Sequence, residues 1–136
     1  MQAGEVVAVD QPYRVRLAVA YVNGHLDQDL SIGTLAAEIG VSERHLTRLF
    51  VTELGDTPGR FVRRARTEAA AQLLASTRLP VACVATRCGF GSAETLRQAF
   101  VDRYGTSPSR FRVAYAGTGD QDSAGMGSSV KPNATS

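Results

Sequence analysis

Two sets of side chains are spaced to recognise the edge of a flat polar partner. Arg44, Thr47 and Arg48 recur at intervals of three and one, and Glu94, Arg97 and Gln98 follow with the same intervals. On a helix that turns by about 100° per residue, each trio shares one face. A guanidinium forks onto O6 and N7 of guanine, a carboxamide pairs with N6 and N7 of adenine, and a carboxylate accepts from N4 of cytosine. The chemistry these residues suit is the reading of base edges in double-stranded DNA.

Little else in the chain suits bond-making chemistry. Cys83 and Cys88 are five apart, which fits neither a redox CxxC nor a zinc pair, and both are expected as small core or near-core residues. His25 has no Cys or acidic cluster at metal-ligand spacing and receives no role. Gly89-Phe90-Gly91 is accounted for by turn geometry rather than by phosphate cradling. No acid/base pair or reactive thiol cluster stands out, so no enzyme, cofactor or metal is expected.

The elements that must position the two trios follow from an internal repeat. Ile32, Leu35, Ala36 and Ile39 superpose on Val81, Val84, Ala85 and Cys88 at an offset of 49 residues, and Gly40 on Gly89. The second turn then carries one extra residue. Ser42, Leu46, Phe50, Val51, Gly55, Pro58 and Phe61 match Ser92, Leu96, Phe100, Val101, Gly105, Pro108 and Phe111 at an offset of 50. Two copies cannot form a stacked solenoid with capped ends. A tandem pair of helix-turn-helix units is the reading, and the class is all-α with seven helices.

The first helix is expected from about Pro12 through Leu17, Ala20 and Tyr21 to the Asn23-Gly24 stop. Ser31 caps the second and Ser42 the third, with Gly40 and Gly55 as their ends. Thr57-Pro58 opens a long fourth helix to about Ala75, a rod of roughly 27 Å at about 1.5 Å per residue, which joins the two copies. Pro80 precedes a fifth over Val81–Cys88, Ser92 caps a sixth ending near Tyr104, and Ser107-Pro108 starts a short seventh. The expected organisation is an N-terminal extension over 1–11 and a DNA-binding domain over 12–116. Its first unit is about 12–57, the linker helix 58–75 and the second unit about 80–115. Residues 117–136 are nearly devoid of apolar side chains and are expected as a disordered tail.

A chain of 136 residues with 43% hydrophobic content and no Trp can hold one compact domain of modest core. No apolar run approaches a membrane span, and the start lacks a signal-peptide pattern, so a cytoplasmic, nucleoid-associated protein without membrane contact is expected. The net charge of +2 is unevenly divided. Ser31 to Tyr115 holds twelve Arg and seven acidic residues, a net of +5, while the flanks hold three basic and six acidic. Fourteen of the fifteen basic residues are Arg, which suits phosphate and guanine but also follows from a GC-rich genome.

In each unit the second helix enters the major groove with the face opposite its core stripe. Leu46, Leu49 and Phe50 turn inward, which leaves Arg44, Thr47 and Arg48 outward. Leu96, Ala99 and Phe100 inward leave Glu94, Arg97 and Gln98 exposed, with Ala93 and Thr95 nearer the helix start. Exposed polar residues opposite a core stripe occur on any surface helix, so the repeat and its turn carry the argument. His45 is either a phosphate contact or a solvated surface group. The Arg63-Arg64-Arg66 cluster either tracks DNA backbone or is solvated and paired.

The segment from Leu30 to Arg112 resembles the DNA-binding domain of AraC/XylS-type bacterial transcription regulators. The matching residues are Ala36-Ala37-Glu38-Ile39-Gly40-Val41-Ser42 with Leu46 and Phe50, and Ala85-Thr86-Arg87-Cys88-Gly89-Phe90-Gly91-Ser92 with Phe100, Tyr104-Gly105, Ser107-Pro108 and Phe111-Arg112. The run from Cys88 to Arg97 looks most like the branch with an N-terminal type 1 glutamine amidotransferase-like domain. The resemblance implies two recognition helices, about 43–54 and 93–104, in successive major-groove segments. It implies base reading by Arg44, Thr47, Arg48, Ala93, Glu94, Thr95 and Gln98, and phosphate contacts by His45, Arg60, Arg97 and Arg110. It further implies an activator that engages RNA polymerase, with any small-molecule effector bound by a domain absent from this chain. Ala93 and Glu94 depart from a donor-rich reading face, and the carboxylate repels phosphate unless it meets cytosine, so the second unit is expected to place more than it reads.

Two other readings stay open from the residues alone. A protein-binding helical module engaging polymerase or a partner requires only weak, sequence-blind DNA affinity. A fragment of a DNA-alkylation-repair enzyme is compatible with the domain type but has no catalytic constellation in this sequence.

Overall fold

A computed structural model of the protein describes the backbone of residues 2–122 and the side-chain environment of residues 12–115. It contains α1 (Gln2–Gly24), α2 (Ile32–Ile39), α3 (Glu43–Leu54), α4 (Pro58–Ser76), α5 (Val81–Arg87), α6 (Ala93–Tyr104) and α7 (Pro108–Asp122), with no strand among the described residues. The chain divides into two compact units, with the boundary between Arg66 and Thr67 inside α4.

The core of the first unit gathers Ala18 and Val22 of α1, Leu30 of the loop that follows, Leu35 and Ala36 of α2, Leu46 and Phe50 of α3, and Val62 of α4. The core of the second gathers Ala70 and Leu74 of α4, Val84, Ala85, Cys88 and Phe90, and Leu96, Ala99 and Phe100 of α6. Residues paired by the repeat do the same job in each. Phe50 and Phe100 are fully buried, and burial of a side chain that size is worth about 1.5–3 kcal/mol. Phe61 meets Phe50 edge-on at 5.5 Å, as Phe111 meets Phe100 at 5.0 Å.

The turns explain the one-residue slip between copies. In the first unit the Gly40 and Val41 N–H groups donate to the Ala36 carbonyl at 2.8 and 3.0 Å, and Gly40 sits at φ +83°. In the second, Phe90 N–H donates to the Ala85 carbonyl at 2.8 Å, and Gly89 sits at φ +86°. A side chain with a Cβ rarely adopts that left-handed backbone, so a glycine is required in both. Gly91 is the extra residue, between buried Phe90 and the cap Ser92. The entries to α2 and α5 differ more. Ser31 caps α2, and Asp29 accepts from Ser31 N–H and the Thr34 hydroxyl, both at 3.0 Å, bonds that hold its carboxyl below the ordinary range. α5 follows Pro80 with no side-chain cap.

Expectations at both ends of the chain and at Cys83 are corrected. Residues 2–11 are not a separate extension but the first part of α1, which carries Pro12 in its interior. Glu5 to Val9 contain no Gly or Pro to stop a helix, and α1 continues through Pro12 despite the missing N–H and the crowding of its ring against the preceding turn. The buried stripe of α1 is Val15, Ala18 and Val22, whereas Leu17 and Ala20 are exposed. α7 is not short: Tyr115 packs on Phe111 at 4.3 Å, and the helix runs on through 117–122, which had been expected in the disordered tail. The rest of that tail, residues 123–136, lies outside the described residues. Cys83 is exposed, while Cys88 is buried, and its thiol pKa is raised by desolvation.

Candidate nucleic-acid interface

α3 starts cleanly because the Ser42 hydroxyl accepts from His45 N–H at 3.1 Å, one of the helix-start donors that would otherwise lack a partner. Its apolar positions Leu46, Leu49 and Phe50 are buried. Arg44 and Arg48 are exposed on the other side, with Thr47 and the His45 side chain partly buried beside them. Among the described residues, neither guanidinium has a hydrogen-bond or ion-pair partner. α3 therefore presents two unengaged forks one helical turn apart.

α6 repeats the framework with different chemistry. The Ser92 hydroxyl accepts from Thr95 N–H at 3.1 Å, and the two hydroxyls share a bond of 3.0 Å. Leu96, Ala99 and Phe100 are buried, leaving Ala93, Glu94, Thr95, Arg97 and Gln98 exposed. Here the polar tips hold one another. Arg97 donates from Nε to Glu94 Oε1 at 2.9 Å and from Nη2 to Oε2 at 2.6 Å, and Gln98 Nε2 donates to the same Oε2 at 3.3 Å. The Arg97 hydrogen bonds keep the Glu94 carboxyl below its ordinary pKa, and Glu94 in turn raises that of Arg97. Both are solvent-exposed, so the fork fixes geometry more than it adds stability.

The expected phosphate residues fall at equivalent helix starts. Arg60 is exposed in the first turn of α4, its N–H donating to the Thr57 hydroxyl at 3.3 Å. Arg110 is exposed in the first turn of α7, its N–H donating to the Ser107 hydroxyl at 3.2 Å. A guanidinium beside the positive end of a helix suits an anion. Of the other two members of that set, His45 lies partly buried in the first turn of α3 and Arg97 is paired with Glu94.

Other arginines serve the fold. Arg66 donates to the Leu26 carbonyl at 3.0 Å and the Gln28 carbonyl at 2.7 Å, and Arg64 pairs with Asp56 at 2.7 Å. Two of the Arg63-Arg64-Arg66 cluster are thus tied inside the first unit. In the second, Arg103 pairs with Glu68 at 2.8 Å and Arg112 donates to the Leu74 carbonyl at 3.2 Å. His25 stacks on Tyr21 with ring centres 4.0 Å apart, and its Nδ1–H donates to the Tyr21 carbonyl at 2.8 Å, a structural role at the end of α1. Sequence reasoning missed the Glu94–Arg97 fork, although its three-residue spacing is that of a helical ion pair. No helix among the described residues is long and apolar enough to cross a membrane, and no group of three or more metal-capable side chains occurs among them.

The chain is similar to known proteins in sequence and in fold. A family model described as a helix-turn-helix domain matches residues 35–114. The "HTH-type transcriptional regulator Rv1931c" of Mycobacterium tuberculosis is 51% identical over 85 residues, which cover 62% of this chain and 33% of that protein. The chain thus spans about a third of the length of that curated relative. Among solved structures, the DNA-binding domain of AdpA, a global transcriptional factor crystallised with a target DNA, superposes with a TM-score of 0.75 at 34% identity, covering 78% of this chain and 96% of that one. A transcriptional regulator of Chromobacterium violaceum, described as an AraC-type DNA-binding domain-containing protein, superposes with a TM-score of 0.73 at 29% identity, covering 80% and 96%.

Proposed function

This chain belongs to the AraC-type family of helix-turn-helix DNA-binding domains of transcription regulators, a family of DNA-binding proteins and not of enzymes, and on that footing we propose that it recognises a specific double-stranded DNA sequence with α3 and α6 in successive major-groove segments. One observation carries the reading: Arg44 and Arg48 stand exposed and unengaged on the face of α3 opposite Leu46, Leu49 and Phe50. On a helix set by a repeated helix-turn-helix frame, two free guanidinium groups one turn apart suit the O6 and N7 edge of guanine. Arg44, Thr47 and Arg48 read bases in one half of the site, and Ala93, Glu94, Thr95 and Gln98 line the other. His45, Arg60 and Arg110 grip phosphates, while Arg97 offers one only the N–H groups that Glu94 leaves over. Activation of transcription through RNA polymerase, at the nucleoid, rests on the family resemblance.

Selection from a random duplex library at near-physiological salt tests this reading. A motif of two parts about 10 base pairs apart is expected, the spacing of successive major-groove segments on one DNA face. A single half motif would remove α6 from sequence reading. No enrichment of any sequence would overturn the function and favour the partner-binding module.

A further inference from the structure

We infer that Glu94 and Arg97 form one reading unit, in which the guanidinium holds the carboxylate so that its remaining acceptor site selects cytosine in the second half of the DNA site. The inference rests on the DNA-reading function proposed above and assigns the specificity of α6.

Unassisted, a carboxylate on a groove-facing helix is repelled by phosphates and lowers affinity for every sequence. Glu94 is not unassisted. Arg97 approaches it through two nitrogens, at 2.9 and 2.6 Å, offsetting its charge and fixing its orientation. Glu94 also lies in the first turn of α6, where the helix dipole favours an anion.

The bond inventory then narrows what the carboxylate can still do. A carboxylate offers about four lone-pair sites, two on each oxygen. Oε2 accepts from Arg97 Nη2 and Gln98 Nε2, and Oε1 accepts only from Arg97 Nε. One acceptor site remains, on Oε1. Cytosine presents a lone donor, N4–H, in the major groove, whereas guanine N7 and O6 and thymine O4 present acceptors that Oε1 repels. The amino group of adenine is a donor but stands beside the N7 acceptor. The same fork takes two of the five Arg97 N–H groups, offsets its charge and occupies an N–H of Gln98, so α6 gains one selective contact at the expense of general grip.

Glu94→Gln keeps the length of the side chain but removes its charge and replaces one acceptor oxygen with an NH2 donor, and the site is exposed, so the fold is not at issue. The experiment compares the variant with the unsubstituted chain in library selection and in the salt dependence of binding to a scrambled duplex. The expected unsubstituted motif contains a cytosine in its second half, preferred by about tenfold, the effect of one good base contact. Glu94→Gln is expected to abolish that preference and leave the first half unchanged. By freeing Arg97 for a phosphate, it should also steepen the log–log salt slope by about 0.9 and raise scrambled-duplex affinity by about fivefold at low salt. An intact first half with unchanged second-half preference in the variant would overturn the inference while leaving the function standing. Loss of the cytosine preference with an unchanged salt slope would overturn the pairing with Arg97. Absence of any motif in the unsubstituted chain would defeat the proposed function itself, and the inference with it.

Discussion

α3 and α6, the second helices of the two helix-turn-helix units, are alike in framework and opposite in what they offer. Each is capped by a serine, Ser42 or Ser92, each buries three apolar residues, and each ends at a glycine, Gly55 or Gly105. On α3, Arg44 and Arg48 have no partner among the described residues. On α6 the equivalent positions are Glu94 and Gln98, and both are held in a cluster with Arg97. α3 has a first-turn carboxylate too, but Glu43 Oε2 lies over Gly33, 3.1 Å from where a Cβ there would stand. A duplicated scaffold can therefore keep its core and caps while one copy presents free cations and the other a carboxylate held by its own arginine. The core constrains three positions of each helix and leaves the outer face free to diverge.

The largest expected effect tests whether the scaffolds are as equivalent as they look. Phe50→Ala and Phe100→Ala should each cost about 3–5 kcal/mol of stability in their own unit. Phe100 should cost more, because it packs on Tyr104 at 4.7 Å and Phe111 at 5.0 Å, whereas Phe50 meets Phe61 alone at 5.5 Å, and an aromatic pair adds about 0.5–1.5 kcal/mol beyond area. Hydrogen exchange of the amides in each unit measures both. An equal or greater loss for Phe50→Ala would show that ring pairing does not distinguish the cores.

A smaller effect separates the reading faces. Arg48→Ala should cost about 1–3 kcal/mol on the selected site and relax base preference in one half of it. Gln98→Ala, at the equivalent position, should cost less, since that side chain already spends an N–H on Glu94. Titration of both variants against single-base variants of the site decides the order. Smaller again, Arg60→Ala and Arg110→Ala should weaken binding to all sequences alike and flatten the salt slope by about 0.9 each. A change of base preference from either would move that residue from phosphate to base.

Much of this was legible in the residues because repetition is a strong constraint. A 49-residue offset that becomes 50 located both turns, both caps and the buried set Leu46, Leu49, Phe50 and Leu96, Ala99, Phe100 before any coordinates. The ends were harder. Pro12 reads as a helix start because that is where proline is cheapest, yet it lies inside α1, and the Gly- and Asp-containing stretch 117–122 continues α7 because an established helix extends at little cost. Which arginines are engaged was legible only in part. The spacing of Glu94 and Arg97 allows their pairing, yet the family resemblance assigns Arg97 to phosphate, and Arg66 bonds backbone carbonyls 38 and 40 residues away, which no local pattern encodes.

The smallest expected effect probes the α6 cluster directly, without DNA. Glu94 should titrate below its ordinary value of 4.5, because the Arg97 hydrogen bonds favour the charged form in the folded state. A depressed folded pKa means the pair contributes above the unfolded value and is lost as pH falls through the folded one. The loss therefore belongs below about pH 4.5 and leaves neutral pH untouched. Carboxyl-carbon NMR of Glu94 reads this midpoint, and Arg97→Ala should return it toward 4.5. Gln98→Ala should move it less, since its one bond, at 3.3 Å, is longer and is made by a neutral donor. A midpoint indifferent to Arg97→Ala would mean that the fork is not held in solution, and the contrast between the two reading faces would shrink to one of residue type alone.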